Sequence, residues 1–197
     1  MRWLAVAVAA AALLACGGDD GKSPKATSPV SRSASTIAED ADIAPLTVES
    51  DAFGEGEPIP ERFKCEGENL SPALSWDGVV YGTLSLVVVV DDPDAPGGTF
   101  THWLLYDLPR ETQGLPEDLD TGPLRPVGGV QGTNDSGNVG YTGPCPPQGQ
   151  THTYVFTVYA LRKGDLELES GASADEVHAA IEGYVVAQGE LTGTFGR

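Results

Sequence analysis

Thr83-Leu-Ser-Leu-Val-Val-Val-Val90 runs straight into Asp91-Asp92-Pro93-Asp94-Ala95-Pro96-Gly97-Gly98, and Thr101-His-Trp-Leu-Leu-Tyr-Asp-Leu108 follows. The first segment is β-branched and continuously apolar, the pattern of a strand covered on both faces. The second is turn chemistry throughout. The third is again strand-like and is stopped by Pro109. Two long apolar segments joined by a rigid Pro/Gly corner decide for a β fold. Thr153-Tyr-Val-Phe-Thr-Val-Tyr-Ala-Leu161, bounded by Gly164 and Asp165, adds a third strong strand, and Glu190 to Phe195 a short last one. One helix is expected over about 173–188. Ser173-Ala-Asp-Glu176 reads as a capping box, and Val177, Ala180, Ile181, Tyr184, Val185 and Gln188 follow at helical spacing, with Gly189 as the stop.

The remaining composition agrees. Gly (25) and Pro (15) form about a fifth of the 197 residues, which favours turns over long helices. The net charge is −18. Nucleic-acid binding needs basic groups to neutralise phosphates, so this balance excludes it as the main activity, along with an electrostatic grip on an anionic membrane. A local anion pocket is still compatible, because a few donors dominate at short range. The sequence shows no internal repeat, no dinucleotide or P-loop glycine motif, and no histidine pair at zinc-site spacing. No metal and no cofactor is expected.

The N-terminus reads as a processing segment. Arg2 precedes an apolar run over residues 4–15, too short to span a bilayer as a helix. Leu13-Leu-Ala-Cys16-Gly17 resembles a bacterial lipobox, in which the cysteine is lipidated and becomes the first mature residue. The residues after Cys16 are rich in Gly, Ser, Pro, Thr, Ala and Asp. The expected organisation is a signal peptide over 1–15, a lipidated Cys16 with a linker over 16–45, and a globular domain over 46–197. That places the protein in a bacterial cell envelope, on the extracytoplasmic side of a membrane.

Two segments carry chemistry. The first is Asp91-Asp92-Pro-Asp-Ala95-Pro96 with Thr101-His102-Trp103. The second is Gly140-Tyr-Thr-Gly143-Pro-Cys145-Pro146-Pro147-Gln-Gly-Gln-Thr-His152-Thr-Tyr154. Each puts a histidine at the mouth of a strand after a Pro/Gly loop. Imidazole nitrogens, the Tyr154 hydroxyl and glycine-loop amides suit a phosphate-like or carboxylate-like anion. Asp92 fits as an orienter that bonds one histidine nitrogen and favours the imidazolium. Anion binding is then expected to weaken as pH rises through the histidine range near 6.5. His178, on the expected helix, is assigned no role.

These segments resemble the phosphatidylethanolamine-binding protein family, most closely its bacterial and archaeal, Raf-kinase-inhibitor-like branch. Cys65-Glu-Gly-Glu-Asn-Leu-Ser-Pro-Ala-Leu-Ser-Trp76 and the ending Ala187 to Arg197 share the likeness. It implies a mainly β, sandwich-like fold, a large antiparallel sheet packed on a smaller sheet with a peripheral helix. It also implies a shallow pocket for phosphate, phospholipid-headgroup-like ligands or acetate. Carried over residue by residue, the pocket acid is Asp92 and the histidines are His102 and His152. The pocket loop is Ala95, Pro96, Gly143, Cys145, Pro146 and Pro147, and the following aromatic is Tyr154. Many members have Arg where this chain has Thr153, which removes a cation beside the site. The eukaryotic C-terminal extension has no counterpart here, so kinase or plant-type signalling roles do not carry over.

With Cys16 assigned to the lipobox, an exported domain holding Cys65 and Cys145 invites a disulfide; the alternative is two buried thiols. The functional expectation is a tethered, non-enzymatic binding protein for a small anion or phospholipid headgroup. The alternatives are an inhibitor of an extracytoplasmic protease or other hydrolase, and an Asp/His-based hydrolase.

Overall fold

The structure, a computed structural model, describes residues 43–119 and 127–197. The signal segment, Cys16 and the linker up to residue 42 lie outside the described residues. In chain order the elements are β1 (Ala44–Pro45), β2 (Thr47–Glu49), β3 (Glu57–Pro58), β4 (Leu74–Asp77), β5 (Ser85–Asp92), β6 (Phe100–Pro109), β7 (Gly114–Leu115), β8 (Val130–Gln131), β9 (Thr151–Leu161), α1 (Ala174–Ile181) and β10 (Val185–Gly196). The larger sheet has the order β1-β10-β9-β5-β6-β8, with β3 also on β10, and the smaller sheet is β2-β4-β7.

The larger sheet is mixed where an antiparallel sheet was expected. Its long strands pair antiparallel, but β1 and β3 both run parallel to β10. Nothing in two-residue strands such as Ala44–Pro45 announces a partner 143 residues away (Ala44 with Ala187), so this pairing is tertiary in origin.

The continuous apolar run of β5 is explained by cover on both sides. Leu86, Val88 and Val90 join Trp103, Phe156 and the small-sheet residues Val48, Leu74 and Trp76 in one core. Val87 and Val89 join Leu104, Tyr106, Val177 and Ile181 beneath α1 in the other. Each fully buried valine or leucine here contributes roughly 1.5–3 kcal/mol of transfer free energy.

The helix starts as expected and stops early. Ser173 accepts from the Glu176 amide while the Glu176 carboxylate accepts from the Ser173 amide. The last helical residue is Ile181, so 182–188 are not helical. Gly183 takes the left-handed conformation at φ +75° and Val185 enters β10. The β-branched pair Val185-Val186 and the pairing along β9 outweigh the helical spacing read through residue 188. Gly189 is therefore a mid-strand residue and not a helix stop. A Cβ there would overlap the Leu46 carbonyl oxygen.

Candidate anion site

The site lies at the end of the larger sheet where β5 finishes, β6 and β9 begin and β10 closes. Side-chain alternation carries Val90 toward the small sheet, Asp91 toward α1 and Asp92 back to the first face. On β9, His152 shares its face with Tyr154 and Phe156. His102 reaches the same face by a different route. Val90 pairs with Trp103 and Asp91 with Thr101, leaving His102 as an extra residue in β6. A bulge of this kind re-aims a side chain without breaking the sheet. The His102 ring consequently packs on Phe100 (centroids 4.9 Å apart) and edge-on against Tyr154 (5.2 Å).

A cavity of about 200 Å³ opens here, lined by Asp92, Ala95, Pro96, Phe100, His102, Ser136, Thr142, Cys145, Pro146, Pro147 and His152. Of the ten ligand-binding residues expected from sequence, eight line it. Gly143 lies behind the wall, where its amide donates to Asn69 Oδ1 at 2.8 Å. A Cβ at Gly143 would collide with the Phe63 carbonyl, so the loop closes against 63–64 only because the residue is glycine. Tyr154 is 1% exposed, and its hydroxyl is the one buried side-chain polar atom without a hydrogen-bond partner among the described residues. Burial first, then the nearby Asp92 charge, pushes its ionisation well above the ordinary tyrosine range, so it stays a neutral phenol.

The two histidines differ in what they have left to offer. His152 Nδ1 bonds Asp92 Oδ2 at 2.7 Å, with both side chains almost fully buried. The Gln150 side-chain amide closes on His152 Nε2 at 3.1 Å. Asp92 Oδ1 accepts from the Asp94 amide at 2.9 Å, which ties the carboxylate to its own loop. His102 instead donates Nδ1–H to the Thr142 carbonyl at 2.7 Å, and the Thr142 amide donates back to the His102 carbonyl at 3.0 Å. Burial, the largest influence, holds the His102 pKa below its ordinary 6.5 against the opposing pull of Thr142, Asp92, Asp91 and Asp135. The Asp92 contact expected from sequence is thus made by His152 through Nδ1, and at His102 burial favours the neutral ring.

Sequence reading missed Phe100, Ser136 and Thr142 in the wall, and the residue that sets the loop carrying two of them. Asn134 is 2% exposed. Its Nδ2 donates to the Gly140 carbonyl (2.8 Å) and Thr142 Oγ1 (2.9 Å), and its Oδ1 accepts from the Ser136 and Asn138 amides. The Asn134-Asp-Ser-Gly137 stretch is a turn signal, but nothing local marks it as the loop's anchor. Cys65 and Cys145 are joined as a disulfide, with Cα atoms 5.6 Å apart and 80 residues between them in sequence. Closing so long a loop is worth about 4–5 kcal/mol in the chain-entropy description. Thr153, where an arginine was noted in relatives, donates its amide to Asp94 Oδ2 at 2.8 Å.

A β-rich domain with this cavity at a sheet end is a small-ligand binding fold, and comparison with known proteins agrees. The family model described as phosphatidylethanolamine-binding protein matches residues 49–196. The chain belongs to the phosphatidylethanolamine-binding protein family. It is similar to a UPF0098 protein of Methanothermobacter thermautotrophicus, 45% identical over 152 residues, covering 77% of this chain and 99% of that one. It is also similar to a Mycobacterium tuberculosis protein that bears the provisional lipoprotein name LppC, 40% identical over 192 residues, covering 93% of this chain and 90% of that one. Among solved structures, Escherichia coli YbcL, described as a member of the mammalian PEBP family, superposes with a TM-score of 0.73 at 36% identity, covering 77% of this chain and 98% of that one. The domain therefore spans nearly the whole of two of these proteins.

Proposed function

We propose that this protein is an envelope lipoprotein that binds a small oxyanion, phosphate-like or headgroup-like, and does not turn it over. The observation that carries the reading is the cavity itself. Two histidines and an aspartate wall it, and the buried Tyr154 hydroxyl beside it has no partner among the described residues. A buried hydroxyl left unpaired costs about 1–3 kcal/mol, so a ligand atom or an ordered water that completes it is favoured. The cavity, about 200 Å³, has room for a headgroup-sized oxyanion. Binding is favoured over catalysis because the Cys145 sulfur, among the described residues the one cysteine side chain in the cavity wall, is committed to the disulfide. The lipobox-like segment ending at Cys16 and the lipoprotein name of a relative matching 93% of this chain support the anchor.

The test is an NMR titration of the protein with phosphate, phosphoethanolamine and acetate, following His102 and His152. Saturable shifts at both rings with at least one probe are expected. No shift with any of the three would remove the anion reading. Release of phosphate from phosphomonoesters would remove the claim of no turnover.

A further inference from the structure

We propose that the pocket selects oxyanions that carry their own proton, the type being a phosphomonoester in its monoanionic form. This rests on the anion-binding reading above and names the chemical form the site takes. The argument begins at Thr142. A backbone carbonyl only accepts, so the 2.7 Å contact requires the hydrogen on His102 Nδ1. With the ring kept neutral by burial, Nε2 carries a lone pair. Among the described residues Nε2 has no protein partner, whereas both ring nitrogens of His152 are engaged, by Asp92 and Gln150. The free histidine atom in the wall is therefore an acceptor.

The other polar groups leave the same requirement. Asp92 is acceptor-only, with its oxygens already bonded to His152 and the Asp94 amide. Tyr154, a neutral phenol with Asp92 and the Cys145 backbone beside it, is not among the residues that line the cavity. No lysine or arginine lines the cavity among the described residues. Arg197 lies 3.9 Å from Cys145 Sγ, but its guanidinium is paired with Glu66. The charged groups that act on His102 are Asp92, on its own face of the sheet, and Asp91 and Asp135, from the other face and the 132–140 loop; its ring packs on Phe100 and Tyr154, and no cation is among them. A dianion would meet lone pairs and carboxylates. A monoanion with one O–H has a donor for His102 Nε2, which a dianion lacks. An intact phospholipid has a phosphodiester, which lacks that hydrogen.

The experiment is calorimetric titration of the full chain in non-ionic detergent with methyl phosphate, dimethyl phosphate and sulfate at pH 6.0. Methyl phosphate loses its second proton near pH 6, as phosphomonoesters do, while the other two probes carry no proton at this pH. Methyl phosphate is expected to bind at least about tenfold more tightly than either, the cost of leaving a buried acceptor unpaired. Its affinity should fall toward tenfold per pH unit above about 7. Nitrogen-15 spectra of the free protein at pH 7 should show His102 with a protonated Nδ1 and a bare Nε2. Equal binding of dimethyl phosphate or sulfate, or an imidazolium at His102 at pH 7, would overturn the proposal and leave the anion pocket standing. Binding of none of the probes would overturn both.

Discussion

Asp91 and Asp92 are adjacent, both end β5, and face opposite sides of the same sheet. Asp92 looks into the site face, where His152 and the Asp94 amide meet it beside an open cavity. Asp91 looks toward α1. There it accepts from Thr101 Oγ1 at 2.7 Å, with Asp135 and the exposed His178 nearby. Burial raises the Asp91 pKa, its leading influence, so its charge is held at a cost. One carboxylate stands in the wall of an open cavity, held there by His152 and the Asp94 amide. The other is a polar end to a buried strand. Identical chemistry one residue apart thus acquires a different role from strand alternation alone.

The largest test of that contrast uses the covalent pin, which only the site face possesses. Replacing Cys65 and Cys145 with serine should cost about 2–5 kcal/mol of stability, read as a large fall in Tm. A loss under about 0.5 kcal/mol would show that the Gly143–Asn69 and Tyr141–Phe63 hydrogen bonds already hold the loop. Next, Asp92→Asn should weaken oxyanion binding by about tenfold or more, since charge-assisted hydrogen bonds contribute about 1.5–3 kcal/mol. Asp91→Asn should leave binding within about twofold. Equal effects would erase the distinction between the faces.

A pH series sharpens it further. The His102 pKa is depressed in the folded protein, so its contribution to stability is present above about 6.5 and is lost as pH falls through the folded value. Tm should fall between pH 7 and 5, and His102→Gln should flatten part of that fall. The smallest expected effect lies on the far face. The Asp91 pKa is raised by folding, so its charge opposes folding at neutral pH. Asp91→Asn keeps an acceptor for Thr101 and should raise Tm by about 1–3 °C at pH 7. A lower Tm would mean that the charge is needed against His178.

The sequence carried the strong local signals and missed the tertiary ones. The three long strands, the capping box and the Asp92–His152 neighbourhood were legible because each rests on short-range pattern or on motifs shared across a family. The early end of α1 was not, because Val185 is compatible with both a helical stripe and a strand, and only pairing along β9 chooses. His102 was named as a site residue from the family likeness. How it reaches the site could not be read, since the bulge is a mismatch between two strands and leaves no mark within either. Asn134 was invisible for a related reason. Its partners are the His102 carbonyl and groups over residues 136–142, and only the folded chain brings them to one amide.

The disulfide also divides the chain topologically. The ring it closes contains β4 to β8, and with them Asp92, His102 and Thr142. His152, Tyr154, β9, α1 and β10 lie on the open tail beyond it. Pulled from its two ends, the chain passes its load across the sulfur–sulfur bond, so the strands inside the ring carry no backbone tension while β1 to β3 on one side and β9 and β10 on the other bear it. Under mechanical load the site would separate into halves, giving up His152 while the ring still holds His102.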